Sequence, residues 1–111
     1  MDCDAVVRSF PGLPAPHVQV FSHIKPDIPG IPDRRYYCRG VAFFWEVKAG
    51  RDRLTRAQYE FLEREYRYGN IAGAGDAAAL RHMIFGHVPS EWRELGWKMI
   101  LAFKARGFRG E

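Results

Sequence analysis

The chain has too few cysteines for a disulfide framework and no apolar stretch long enough to cross a bilayer. Its two cysteines, Cys3 and Cys38, lie 35 positions apart without metal-ligand spacing, so they read as reduced thiols of a cytoplasmic protein. No run of about 18 apolar residues occurs, which excludes a helical membrane span. The opening MDCDAVVRSF is acidic at its start and lacks a long apolar region, unlike a secretory signal. Internal repeats and low-complexity tracts are also missing. At 111 residues the expectation is a single domain spanning 1–111.

Aromatic side chains are plentiful, with Phe 8, Tyr 5 and Trp 3, and hydrophobic residues make up 47%. That is enough for one core. The net charge is +4, and its placement says more than its size. Nine of the 17 basic residues fall between Arg34 and Arg67, and 13 of the 17 are Arg, the side chain whose planar fork suits phosphate. Such a bias fits a nucleic-acid partner, and it also fits an ordinary solvated surface.

Local signals divide the chain. Residues 2 to 9 read as a short helix stopped by Pro11-Gly12. VQVFSHI (18–24) reads as a strand, followed by an irregular proline-rich connection. RRYYC and VAFFWEVK read as two strands around Arg39-Gly40. TRAQYEFLEREYRY (55–68) is the clearest helix, with a Thr55/Gln58 capping box, a Leu54/Tyr59 staple and Gly69 as its stop. NIAGAG reads as one more strand, and Asp76 as the cap of a helix ending near Gly86. A last helix is expected from a Ser90 cap to Gly107, with Trp92, Leu95, Met99 and Phe103 at helical spacing. The fold class is therefore α/β, a small mixed sheet flanked by helices. GAGDAA resembles part of a dinucleotide loop, but too little chain follows for a βαβ unit, so no nucleotide cofactor is expected. His82 and His87 are five apart and are not expected to face each other.

VAFFWEVK raises the functional question. Strand residues alternate faces, so Val41, Phe43, Trp45 and Val47 share an apolar face expected to be core. Glu46 and Lys48 then point together on the other, about 7 Å apart at ~3.3 Å per residue. A two-residue loop at Arg39-Gly40 pairs residues whose numbers sum to 79, which sets Asp33 opposite Glu46. Opposed residues share a face with Cβ atoms roughly 4.5–5.5 Å apart. Two carboxylates that close repel unless something cationic sits with them. A salt bridge to Lys48 is one answer. A hard divalent cation is the other, since Mg²⁺ takes oxygen ligands including one or two carboxylates. A lysine beside such an ion can hold a water and offset developing negative charge.

Pro32-Asp33, Glu46-Val47-Lys48 and Gln58 together resemble the PD-(D/E)XK nuclease superfamily, and within it the virus-type replication-repair nuclease (VRR-NUC) domains. The matching segments are GIPD (30–33), FWEVK (44–48), AGRDRLTRAQ (49–58) and YEFLE (59–63). The likeness covers about residues 18–84 and leaves a C-terminal helical extension at about 90–107. It implies a restriction-endonuclease-like core and metal-dependent hydrolysis of DNA phosphodiester bonds, with branched, flap or junction DNA as candidate substrates. Asp33, Glu46 and the Val47 carbonyl would be ligands to Mg²⁺ or Mn²⁺. Lys48 would position the attacking water, and Gln58 would bond to the site or the nucleic acid. It also implies a homodimer. Arg34, Arg51, Arg53 and Arg56 flank these positions and are candidate phosphate contacts. His23, on the strand before the Pro-Asp step, is a candidate lining residue. The family's usual acid on the first helix has only Asp2 or Asp4 to stand for it. Without it, the same fold would serve as a non-catalytic nucleic-acid-binding or assembly module. The cluster as a purely structural ion-pair network is the third alternative.

Overall fold

The computed structural model describes residues 2–21 and 29–111. Its order is α1 (Cys3–Arg8), β1 (His17–Val20), β2 (Arg34–Cys38), β3 (Val41–Val47), α2 (Arg56–Arg67), β4 (Ile71–Gly75), α3 (Ala77–Gly86) and α4 (Pro89–Lys104). The four strands form one mixed sheet in the order β1-β2-β3-β4. β1, β2 and β3 are antiparallel neighbours. β4 lies parallel to β3, as a connection through a helix allows. The architecture is α/β, as expected. His23 and the far end of the 18–24 strand lie outside the described residues.

The β2–β3 turn sets the register. Arg39 has φ 54° and Gly40 φ 83°, the two positive-φ positions of a tight hairpin turn whose twist matches its strands. Pairing runs from Cys38 opposite Val41 to Arg34 opposite Trp45. Arg39 also ties the turn to the rest of the molecule. Its guanidinium donates to the carbonyls of Ile84 and His87, both at 2.8 Å.

The two faces of the sheet carry separate cores. On one, Tyr36, Cys38, Phe43 and Trp45 pack with Cys3, Val6 and Val7 of α1, Leu80, Met83 and Ile84 of α3, and Trp92 of α4. On the other, Leu54, Tyr59 and Leu62 pack with Ala72, Ala74 and Ile100, joined by Phe44. Each fully buried large apolar side chain contributes about 1.5–3 kcal/mol. Val47 corrects the expectation of a wholly buried apolar face, because its side chain is 39% exposed. It lies at the last position of β3, past the reach of that core.

Helix α2 begins as its sequence dictates. The Thr55 hydroxyl accepts from Gln58 N at 3.1 Å, while Gln58 Oε1 accepts from Thr55 N at 2.9 Å. Leu54 and Tyr59 of the staple sit in one cluster. Helix α4 starts two residues earlier than Ser90 would have it. Pro89 occupies its first position, where a missing N–H costs nothing, and Glu91 Oε1 accepts from Val88 N at 3.2 Å. Its aromatic residues pack on their own domain. Trp92 is in the core, and Trp97 stacks on Tyr66 at 4.4 Å between centroids. Gly96 explains how closely α4 crosses β4, since a Cβ there would overlap the Ala72 carbonyl. Covering an edge strand this way removes a site for unwanted strand pairing.

Candidate active site

At the end of β3 remote from the hairpin turn, two acids meet as the register requires. The ladder that pairs Arg34 with Trp45 brings Asp33 opposite Glu46. Each carboxylate accepts from the other strand's backbone. Asp33 N donates to Glu46 Oε2 at 3.2 Å, and Val47 N donates to Asp33 Oδ2 at 3.2 Å. Lys48 joins them, with Nζ 3.7 Å from Glu46 Oε1. Glu46 and Lys48 are 2% and 6% exposed, unusual for charged side chains outside a functional or fully paired setting.

Gln58 enters from the opposite layer. Its Nε2 donates to Glu46 Oε1 at 3.1 Å while its Oε1 holds the α2 cap. The capping and site readings of Gln58 are thus both realised, one by each end of the amide. Gly30 brings the Pro-Asp segment to this helix. Its φ is +76°, and a Cβ would overlap the backbone of Ala57, so only glycine lets residues 30–33 lie against the start of α2. No reading of residue types assigned Gly30 a role. A glycine two places before Pro-Asp was the available signal.

The electrostatics of the pair are unbalanced. Burial and then the Asp33 charge raise Glu46, while Lys48 opposes them, and its pKa is pushed up to about 8. A carboxyl so placed keeps its proton near neutrality unless further positive charge arrives. Among the described residues no group of three or more His, Cys, Asp or Glu side chains is arranged to hold a metal. The donors that do meet here, two carboxylates beside the Val47 backbone, are all oxygen. They suit a hard ion that keeps several waters, as Mg²⁺ does.

The first-helix acids are engaged elsewhere. Asp2 caps α1, accepting from Ala5 N at 2.8 Å. Asp4 accepts from Arg34 Nε at 2.9 Å and from the Tyr36 hydroxyl at 2.7 Å, on the other face of the hairpin. Burial favours its protonated form, but the bonds from Arg34 and Tyr36 outweigh burial and hold Asp4 below the usual carboxylate range.

The four candidate phosphate contacts separate into two kinds. Arg34 is bound to Asp4 and also donates to the Asp33 carbonyl at 3.0 Å. Arg56 is bound to Glu111 at 2.6 Å. Arg51 and Arg53 are exposed in the turn that follows Lys48. Arg106 braces that turn through the carbonyls of Gly50 and Asp52, at 2.7 and 3.1 Å. A hollow of about 320 Å³ lies alongside, lined by Lys48, Gly50, Gly75, Asp76, Phe103 and Arg106 among others. Asp76 itself caps α3, accepting from Ala79 N at 2.9 Å.

No family model matches this chain, no curated protein is significantly similar to it, and no solved structure matches it. The functional reading therefore rests on the residues themselves. Among the described residues no helix is long and apolar enough to cross a membrane.

Proposed function

We propose that this chain is a divalent-metal-dependent nuclease that hydrolyses DNA phosphodiester bonds. The observation carrying the reading is the half-buried Asp33 carboxylate set against the buried Glu46 with Lys48 beside it, an arrangement in which Glu46 is pushed up to about 8. Two further features support it. The small mixed sheet flanked by helices, with β4 parallel to β3, agrees with the coarse architecture expected of a restriction-endonuclease-like core. The sequence segments that resemble that family, GIPD and FWEVK, also supply the clustered residues.

Asp33, Glu46 and the Val47 carbonyl would hold Mg²⁺ or Mn²⁺. The bound ion would supply Lewis acidity toward a phosphoryl oxygen and a more acidic water. Lys48 donates to the attacking water and offsets the negative charge that builds on the phosphorus oxygens. Gln58 fixes Glu46 Oε1 from α2, so the carboxylate does not swing away when a substrate enters. Because the ligand form of Glu46 is its carboxylate, loading near neutral pH releases a proton. Arg51 and Arg53, on the adjoining turn, contact backbone phosphates and give binding its salt dependence. The family resemblance extends the proposal to a homodimer acting on branched, flap or junction DNA.

Among the described residues no third acid joins Asp33 and Glu46, which favours a second reading, a nucleic-acid-binding or assembly module whose site no longer cuts. One experiment separates them. Incubation of a labelled flap or four-way-junction DNA with Mn²⁺ is expected to yield cleavage that EDTA and Lys48→Ala both abolish. Binding without cleavage, unchanged by EDTA, would establish the module instead.

A further inference from the structure

A second cluster lies at the opposite end of the sheet, beside the hairpin turn. Helix α3 ends at Gly86, and His87 has φ −138° and ψ 150°, an extended conformation. The helical geometry that would keep positions 82 and 87 apart thus stops one residue short. The His87 ring folds back so that His87 Nε2 lies 3.2 Å from His82 Nε2, with the ring planes at 77°. The expectation that these histidines do not meet is overturned by that helix end.

We propose that His82 and His87 form a two-imidazole site for a borderline divalent transition-metal ion of the Zn²⁺, Ni²⁺ or Cu²⁺ class. Three features argue for a built arrangement. Bonds of about 2.0–2.1 Å to a tetrahedral zinc set two ligand nitrogens about 3.3 Å apart, close to the observed spacing. Glu91 Oε1 lies 3.3 Å from His87 Nδ1, and a carboxylate there requires that nitrogen to carry the proton, leaving the Nε2 lone pair outward. A carboxylate behind a ligating imidazole orients the ring and raises its basicity. The His87 backbone is also pinned, because its carbonyl accepts from Arg39 at 2.8 Å and from Trp92 Nε1 at 3.0 Å.

In the absence of an ion, one imidazole donates to the other. Moving the His82 proton from Nε2 to Nδ1 frees a lone pair on each Nε2, and a turn of the exposed His82 ring sets both toward one ion. His82 is exposed and His87 half-buried, so water fills the remaining positions. Imidazole donors select borderline transition metals, whereas Mg²⁺ and Ca²⁺ prefer oxygen. The site is independent of the Asp33–Glu46 cluster, and neither proposal requires the other.

The test is isothermal titration of untagged, chelator-stripped protein with Zn²⁺ at pH 7.5, with Mg²⁺ in excess throughout. The expected result is one Zn²⁺ whose affinity falls at least tenfold in His82→Ala and in His87→Gln. Glu91→Gln weakens it about tenfold. His17→Ala and Glu46→Gln leave it unchanged, and the His82 and His87 ring signals shift on loading by NMR. No Zn²⁺ binding by the wild type, or equal affinity in wild type and His82→Ala, would overturn the proposal.

Discussion

An acidic group lies at each face of the β2–β3 hairpin, Asp4 brought by α1 and Glu46 on β3 itself, and the two are treated in opposite ways. On one face Asp4 meets a guanidinium and a phenol and is held below its usual pKa. On the other, among the described residues, Glu46 meets the Asp33 carboxylate and the Lys48 ammonium, and is pushed up to about 8. The Asp4 cluster is complete as it stands and serves to tie α1 to the sheet. The Glu46 cluster becomes comfortable only when more positive charge arrives. This contrast is the physical case for a cation site over a plain ion-pair network.

The comparison breaks most visibly in catalysis. Lys48→Ala is expected to lower Mn²⁺-dependent cleavage by about 100-fold or more, the scale for removing one charge-stabilising donor. Asp4→Asn should leave the cleavage rate within a few-fold. If both variants lose activity in proportion to lost folding, measured by near-ultraviolet circular dichroism, the two faces do not differ in role. Stability should show the reverse ranking. Asp4→Asn forfeits charge-assisted bonds to Arg34 and Tyr36 and is expected to cost about 1–3 kcal/mol in urea unfolding.

The same contrast sets opposite pH dependences in metal-free protein. Glu46 is raised in the fold from 4.5 to about 8, so its protonated form is the one the fold favours. Its contribution is fully present below pH 4.5 and is lost as pH rises toward 8. Asp4 is lowered from 3.8, so its contribution is present above that value and lost as pH falls. Urea midpoints measured in EDTA should therefore decline between about pH 4.5 and 8. Glu46→Gln should flatten that alkaline slope, and Asp4→Asn should flatten the acid one. The smallest expected effect is at Gln58. Removing its amide frees Glu46 Oε1 and should weaken Mn²⁺ binding about tenfold, as loss of a group that orients a metal ligand does. Calorimetry on Gln58→Ala measures it.

What could be read from the residues follows from how local the deciding interactions are. Arg39-Gly40 is a two-residue turn signal, and a turn fixes register, so the Asp33–Glu46 juxtaposition followed from counting. Thr55 and Gln58 are three apart, and their box formed as written. Contacts set by distant chain were not legible. Gln58 reaches Glu46 across the turn that separates β3 from α2, and the close approach of Gly30 to Ala57 joins residues far apart in the chain. The commitment of Arg34 to Asp4 joins residues 30 positions apart. His82 and His87 meet because α3 ends between them, and a boundary one residue later would separate the rings. Ser90 looked like a cap because Ser usually is one, but Pro89 had already taken the first helical position.

Direct measurement of Mn²⁺ binding by electron paramagnetic resonance, at pH 7.5 with His82→Ala in every protein to remove the imidazole pair, tests the central claim most directly. The His82→Ala parent and Asp4→Asn should bind Mn²⁺ with the same affinity, while Glu46→Gln and Asp33→Asn should each lose it by tenfold or more. Unaltered binding in Glu46→Gln would contradict the account, leaving Asp33 and Glu46 as structure alone.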